Sequence, residues 1–332
     1  MTEVGTGVAG SRRFERRAMG SPLRLTVVGP PAVLERDAPR AWLAVDEEFD
    51  FADAALSAFR ATSSVSRLNA TAGSGRLVTV ESRLYRALAA SSRAWRVTAG
   101  RFDPRVFDDL VGLGHPALTA SMRSLANERQ ESPETGTMDT RDDGAQWLRR
   151  LPRERAVAIT RRVDLSGIGK GLALRWAWRR LEAQVSIGTG TGALLEAGGD
   201  LVAGGLAPDG GPWRIGIEDP AGSEAPVAVV DVVNGALCTS SVRLNRWTTA
   251  GGQSAHHLID PLTHAPGGAG MVSVTVAAAD PAWAEIWSKS LFLSGSARIA
   301  ETARRTSLAA WWVTAAGALE MTARARVLTR WP

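Results

Sequence analysis

The stretch Val163–Ala177, VDLSGIGKGLALRWA, sets three glycines and a lysine within five residues, Gly167 to Gly171, at the head of an apolar run that reads as a helix. Small residues let an anionic ligand approach the backbone, a helix N-terminus favours negative charge, and a lysine adds a point charge. The chemistry such a pattern could do is phosphate binding. It is neither of the standard nucleotide loops. A Walker A loop needs Gly-x-x-x-x-Gly-Lys-Ser/Thr, but Asp164 stands at the first glycine and Gly171 at the hydroxyl position. The dinucleotide fingerprint fails because the spacing is Gly167-x-Gly169-x-Gly171. On these residues alone, a phosphate cradle and a plain glycine-rich turn between strand and helix stay equally open. Three of the four histidines, His256, His257 and His264, fall within nine residues, with His115 apart. An imidazole titrating near neutrality suits proton transfer, whereas a strand histidine can simply cap a turn.

The frame that must hold these residues is a chain of 332 residues, 45% apolar and 22% charged, enough for a core of normal size. The formal charge of +5 leaves room for an anionic ligand. The basic residues are scattered and do not interleave with aromatics, so no nucleic-acid partner is expected. A single cysteine, Cys238, excludes an intrachain disulfide and a cysteine-based zinc site. Residues 1–16 are polar and glycine-rich, without the apolar stretch of a signal peptide or a cysteine for a lipid anchor; they are expected to be a flexible N-terminus on a cytoplasmic protein. No run approaches the ~20 apolar residues of a membrane span.

Leu23–Val28 alternates as a strand, 32–59 reads as helix, 60–70 as a polar loop, and 80–98 as an amphipathic helix with Leu84, Leu88 and Trp95 on one stripe. Residues 119–144 are charged, small and nearly free of apolar side chains, and read as a mobile insert. Beyond it come a strand at 156–160, the glycine stretch with a helix to about Gln184, strands at 193–197, 213–217, 227–232 and 271–278, a helix over 282–295, a further helix, and closing strands at 310–314 and 321–328. Strands and helices without regular βαβ alternation predict an α+β fold, one domain over residues 17–332. Most of the twelve tryptophans are expected in the core.

Eight segments, in one order from Met19 to Gly295, resemble the ApbE family of FAD:protein FMN transferases. Arg17–Gly29 (RAMGSPLRLTVVG) resembles its opening Met-Gly-Thr strand, and Leu56–Asn69 (LSAFRATSSVSRLN) its Ser-x-x-Ser-x-Leu-Asn loop. Gly100–Val106 (GRFDPRV) resembles Phe-Asp-Pro-Thr-Val, and Val163–Ala177 resembles Asp-Leu-Gly-Gly-Ile-Ala-Lys-Gly. Glu196–Gly205 (EAGGDLVAGG), Trp213–Pro220 (WRIGIEDP), Ala236–Ser241 (ALCTSS) and His256–Pro266 (HHLIDPLTHAP) resemble the Gly-Gly-Asp turn, Trp-x-Val-Gly-Ile-x-Asp-Pro, Ala-Thr-Ser-Gly and His-Ile-Ile-Asp-Pro-x-Thr-Gly-x-Pro. The resemblance implies an ApbE-like, T-fold-like arrangement of mixed or antiparallel sheets with packed helices. It implies FAD as substrate, Mg2+ at its pyrophosphate, and a partner protein whose threonine or serine hydroxyl attacks the FMN-side phosphorus while AMP leaves.

The resemblance also implies roles. His257 would be the base and Lys170 a phosphate-side cation. Ser66, Asn69, Phe102, Gly167, Gly199, Asp200, Thr239, Ser240 and Lys289 would line the flavin site. Asp103 and Asp164 would either bond flavin or cap helices, and Asp260 with Thr263 would fix the turn that presents His257. His264 stands at a family glycine. The departure lies in Ala284–Gly295 (AEIWSKSLFLSG), where the family has an aspartate and a threonine that ligate magnesium with a backbone carbonyl at the position of Gly169. Glu285 and Lys289 stand there instead. Glu285 could ligate, but a charged lysine cannot. Two readings follow: Lys289 takes over part of the metal's role with Glu285 holding it, or the two form a plain i, i+4 salt bridge and metal-dependent transfer is impaired. The alternatives for function are a flavin-binding protein without transfer, and an FAD pyrophosphatase that uses water as acceptor.

Overall fold

A computed structural model of the chain describes residues 10–128 and 146–331. Strands β1 (Gly10–Ala18) and β2 (Ser21–Gly29) lead through a π-helical turn (Val33–Asp37) into α1 (Ala38–Leu56). Then come α2 (Ser64–Asn69), β3 (Val78–Thr79), α3 (Ser82–Val97), a short 3-10 helix (Pro104–Val106), α4 (Phe107–Gly112) and α5 (Pro116–Glu128). The second part holds β4 (Leu148–Leu151), β5 (Ala156–Ile159), α6 (Ser166–Glu182), β6 (Gly192–Ala197), β7 (Asp200–Gly204), β8 (Trp213–Ile217), β9 (Ala228–Val232) and β10 (Gly235–Ser241). It continues through β11 (Arg246–Thr248), β12 (Ser254–His256), β13 (Ile259–Asp260), β14 (Ala265–Pro266), β15 (Met271–Ala278), α7 (Pro281–Leu293), α8 (Ile299–Arg305), β16 (Ala309–Thr314), β17 (Leu319–Met321), α9 (Ala323–Leu328) and β18 (Thr329–Trp331).

An eight-stranded sheet in the order β1-β2-β6-β7-β10-β15-β16-β17 forms the centre. All its pairings are antiparallel, which with the packed helices makes the fold α+β. Alternation sends Leu23, Leu25 and Val27 of β2 and Leu195 of β6 to one face, against Phe49 and Leu56 of α1 and Leu172 of α6. Leu201, Ala203 and Leu237 point to the other face, beside Trp311 of β16, where Trp213 of β8 and Val230 of β9 cover them. Phe292 of α7 packs with Val274, Val276 and Trp312. Two tight hairpins lie at one end of the sheet. Met19-Gly20 closes β1–β2 and Gly198-Gly199 closes β6–β7, and all four residues have positive φ, the geometry of a type I′ turn. Among the described residues no helix is long and apolar enough to cross a membrane.

Several sequence expectations are corrected. The stretch taken as a flexible N-terminus is strand β1 from Gly10 onward, paired with β2 from Gly10↔Gly29 to Ala18↔Ser21. Its sequence GSRRFERRA is a charged edge strand with no fully buried position, so it carries no apolar alternation to read. The polar loop contains α2, capped by Ser63, whose Oγ accepts from Ser66 N at 3.1 Å. The first part of the expected mobile insert, Thr119 to Glu128, continues α5; the rest of that insert falls outside the described residues. The last closing strand stops at Met321, because Thr322 caps a helical turn, α9. The glycines Gly167, Gly169 and Gly171 lie inside the first turns of α6, not in a loop before it.

In the helix layer a buried carboxylate, Glu48, is paired with two arginines, Arg83 and, at 3.4 Å, Arg180. Glu48 of α1 is 4% exposed and receives two bonds from Arg83 of α3, at 2.6 and 2.7 Å. Glu48→Ala leaves that guanidinium without its carboxylate. The expected loss of stability is about 2 kcal/mol, below the range for fully buried pairs because Arg83 keeps some solvent; thermal unfolding of the variant measures it.

Candidate active site

The site forms where the first turns of α6 meet α7 and the two hairpin ends. Lys170 of α6 gives its Nζ to Asp200 Oδ2 at 2.7 Å. The Gly198-Gly199 turn sets Asp200 there, and its Oδ1 accepts Thr239 N at 2.9 Å. Asp200 is 2% exposed. Burial by itself would lower the Lys170 pKa, but the carboxylates of Asp200 and Glu285 outweigh it and raise it above the ordinary lysine value. Lys170 is therefore an ammonium at any working pH.

One turn along, α7 supplies Glu285, 1% exposed. Its Oε2 accepts the Gly171 N–H at 2.8 Å, and its Oε1 faces Lys289 Nζ at 3.4 Å. Burial pushes the Glu285 carboxyl up, and Lys289 opposes that. Ser288 donates to the Glu285 carbonyl at 2.9 Å and so accepts from Ser240, whose Oγ lies 2.8 Å away. Ser288 was missed in the sequence, although its place three residues after Glu285 puts it on the same helical face. Cys238 is buried in the same region, where burial and the two carboxylates raise its thiol pKa.

The glycines have packing reasons. A Cβ on Gly171 would sit 2.6 Å from Ala282 Cα and 2.7 Å from the Pro281 carbonyl oxygen. α6 and α7 approach that closely only because Gly171 has no side chain. A Cβ on Gly167 would meet Lys289 Cε at 3.2 Å and Phe102 Cε2 at 3.3 Å. Gly169 has ordinary room, with Met19 Cε at 3.6 Å. Gly171→Ala is expected to cost about 2 kcal/mol of stability and to move Glu285 off its N–H; thermal unfolding of the variant measures it.

His257 follows β12 in a bend before β13. Its Nδ1 is buried and has no hydrogen-bond partner among the described residues. Burial, then the positive fields of Lys289, His256 and Lys170, take its pKa down to about 3, with the Asn245 backbone pulling the other way. The ring is a neutral imidazole in the field of both ammonium groups. Asp260 holds the following turn: its carbonyl accepts the Thr263 N–H at 3.2 Å and the His264 N–H at 2.9 Å, and its carboxylate pairs with Arg101 at 3.1 Å. His264 occupies positive φ and bonds Asp109 through Nδ1 at 3.0 Å.

Other expected site residues are occupied elsewhere. Asn69 bonds the Val163 backbone both ways, Nδ2 to O at 2.8 Å and Val163 N to Oδ1 at 2.9 Å. Ser66 Oγ donates to the Arg60 carbonyl at 2.8 Å. Asp103 caps the 3-10 helix through Arg105 N and pairs with the Arg105 guanidinium at 2.7 Å. Asp103 is therefore a helix cap, whereas Asp164 stands one residue ahead of Leu165, the N-cap of α6, and accepts from Ser166 N at 3.0 Å and from Ser166 Oγ at 2.5 Å in an Asx turn. Phe102 is 4% exposed and stands beside Gly167. Thr239 offers its N–H to the cluster, but its hydroxyl bonds Thr275 at 2.8 Å on the other face of β10. A cleft of about 410 Å³ between α3, α7 and α8 involves Trp287, Ser290 and Ser294, which lie on the face of α7 away from Glu285 and Lys289.

The residues at the implied magnesium position do not fit a metal ion. Both Glu285 oxygens are engaged, Lys289 presents an ammonium, and among the described residues no three His, Cys, Asp or Glu side chains come together to hold a cation.

Two ammonium groups on buried carboxylates, a helix start and a neutral imidazole with an unpartnered Nδ1 form an arrangement that can take an anionic ligand, on an antiparallel α+β frame. The ApbE family model matches residues 19–312, and the chain belongs to this family. The chain is 34% identical over 155 residues to the FAD:protein FMN transferase of Escherichia coli K12, a match covering 47% of this chain but only 43% of that protein. It is 27% identical over 310 residues to the enzyme of that description from Klebsiella pneumoniae, covering 92% of this chain and 84% of the relative. In structure it resembles the ApbE protein of Thermotoga maritima, with TM-score 0.77, 22% identity and coverage of 97% and 100% of the two chains. The flavin transferase ApbE of Vibrio cholerae gives 0.74 at 20% identity, covering 96% and 99%. At these identities the structural likeness speaks to the fold.

Proposed function

We propose that the chain transfers FMN from FAD to a threonine or serine hydroxyl of a partner protein, releasing AMP. The observation that carries this reading is the buried, unpartnered His257 Nδ1 within the field of Lys170 and Lys289. The family and the names of its relatives supply the substrate class.

In this reading Lys170 and Lys289 hold the pyrophosphate oxygens and oppose the charge that builds on them. His257 takes the proton of the acceptor hydroxyl. The hydroxyl oxygen forms a bond to the FMN-side phosphorus, the bond from that phosphorus to the bridging oxygen breaks, and AMP leaves carrying the bridging oxygen. The proton passes from His257 to solvent. Asp200 and Glu285 position the two lysines. Asn69, through Val163, and Asp164, through Ser166, position the α6 start, and no step passes through a metal.

Chromatography of FAD incubations tests the reading. AMP release is expected to depend on a hydroxyl-bearing acceptor protein. Equal amounts of free FMN and AMP without acceptor would make the chain a pyrophosphatase. FAD recovered intact under all conditions, with a matched acceptor present, would make it a flavin binder.

A further inference from the structure

We propose that Lys289, held by Glu285 beside the first turn of α6, binds the FAD pyrophosphate directly and, together with Lys170, replaces a divalent cation at this site. The inference rests on FAD being the ligand.

Four observations meet here. Glu285 is 1% exposed and spends one oxygen on the Gly171 N–H and the other on Lys289, so a cation could reach it only by displacing the ammonium. Lys289 spends one of its three protons on Glu285 and has no other hydrogen bond among the described residues, while its side chain is 18% exposed. Its aliphatic stem is fixed where Gly167 leaves room, 3.2 Å from the position a Cβ would take. Asp200, the second buried carboxylate of the site, has one oxygen on Lys170 and the other on Thr239 N. Each carboxylate thus neutralises one lysine in the free chain and leaves that lysine's remaining protons for an incoming anion. The Lys289–Glu285 separation of 3.4 Å is longer than a usual charged hydrogen bond, which leaves the ammonium free to lean toward phosphate without breaking a strong contact.

The test is FAD and inorganic pyrophosphate binding by calorimetry, in EDTA and in Mg2+, with Mn2+ paramagnetic resonance as a separate reading of metal. Wild type is expected to bind both ligands within twofold in EDTA and Mg2+, and to hold no Mn2+ beyond what free FAD holds. Lys289→Met is expected to weaken both ligands roughly 10- to 100-fold in EDTA, with no recovery in Mg2+. Lys289→Arg should restore most of the affinity. In Lys289→Thr, Mg2+ should recover part of the loss and Mn2+ should become bound. A wild-type chain that needs Mg2+ for FAD, or a Lys289→Met variant that binds as wild type does, overturns the proposal. Pyrophosphate bound through Lys289 without FAD binding would fault the choice of FAD and leave the lysine assignment standing; metal-free FAD binding without any transfer would fault the transferase reading alone.

Discussion

His257→Ala is expected to lower the turnover number for FMN transfer by about 10²- to 10⁴-fold while changing FAD affinity little, because the imidazole serves the acceptor hydroxyl and not the bound nucleotide. The pH dependence follows from the same ring. Its pKa falls from 6.5 to about 3 in the free chain, through burial first and then through Lys289, His256 and Lys170. The ring is therefore already unprotonated across the range from about pH 5 to 8, and kcat/KM for FAD should show no acid limb from it there. A bound pyrophosphate offsets the two ammoniums, so kcat should show an acid limb at higher pH than kcat/KM does. Stability carries the same sign. The folded chain refuses a proton that the unfolded chain accepts below about 6.5, so the folded state loses stability as pH falls from there toward about 3. His257→Asn should flatten that part of the stability profile, which denaturant titrations at several pH values would measure.

Lys170→Met is the second large effect. Removing a charge that faces developing phosphate charge in a buried site is expected to cost about 10²- to 10³-fold in kcat/KM. The variant also strands Asp200, whose side chain is 3% exposed, so stability should fall as well. The double variant Lys170→Met with Asp200→Asn separates the two: stability should recover, and activity should not. Activity that recovered with stability would show that Lys170 acts only as a structural partner of Asp200. Steady-state kinetics and thermal unfolding on the three proteins decide it.

The legible part of the site was whatever lies within one element. Glu285 and Lys289 are four residues apart on a helix, so their contact could be read from spacing, and the structure shows it at 3.4 Å. The segment from Trp213 to Ile217 and the segment from Met271 to Ala278 alternate clearly, and both are strands with those bounds. What stayed hidden depends on distance along the chain. Asn69 binds Val163 across 94 positions, and no local pattern announces that a motif asparagine is spent on a backbone. The glycine stretch left a phosphate cradle and a plain turn equally open, because both uses of glycine look alike in one dimension. Only the neighbour at 2.6 Å, Ala282 of α7, shows that Gly171 serves helix contact. Strand β1 was hidden for another reason: an edge strand earns its place through backbone pairing with β2, while its side chains stay polar. His264, which the sequence left unexplained, sits in a left-handed conformation suited to the glycine it replaces and is tied to Asp109.

The most direct test of the central claim is covalent flavin on protein. Purified chain and FAD would be added to an extract of source cells lacking the chain's gene, and the products separated on a denaturing gel under ultraviolet light. The account predicts a fluorescent band that appears only with both additions, survives EDTA and fails with His257→Ala. Peptide mass spectrometry of that band should place FMN, less one water, on a threonine or serine. FAD turned over to free FMN and AMP, with no fluorescent protein, would contradict it.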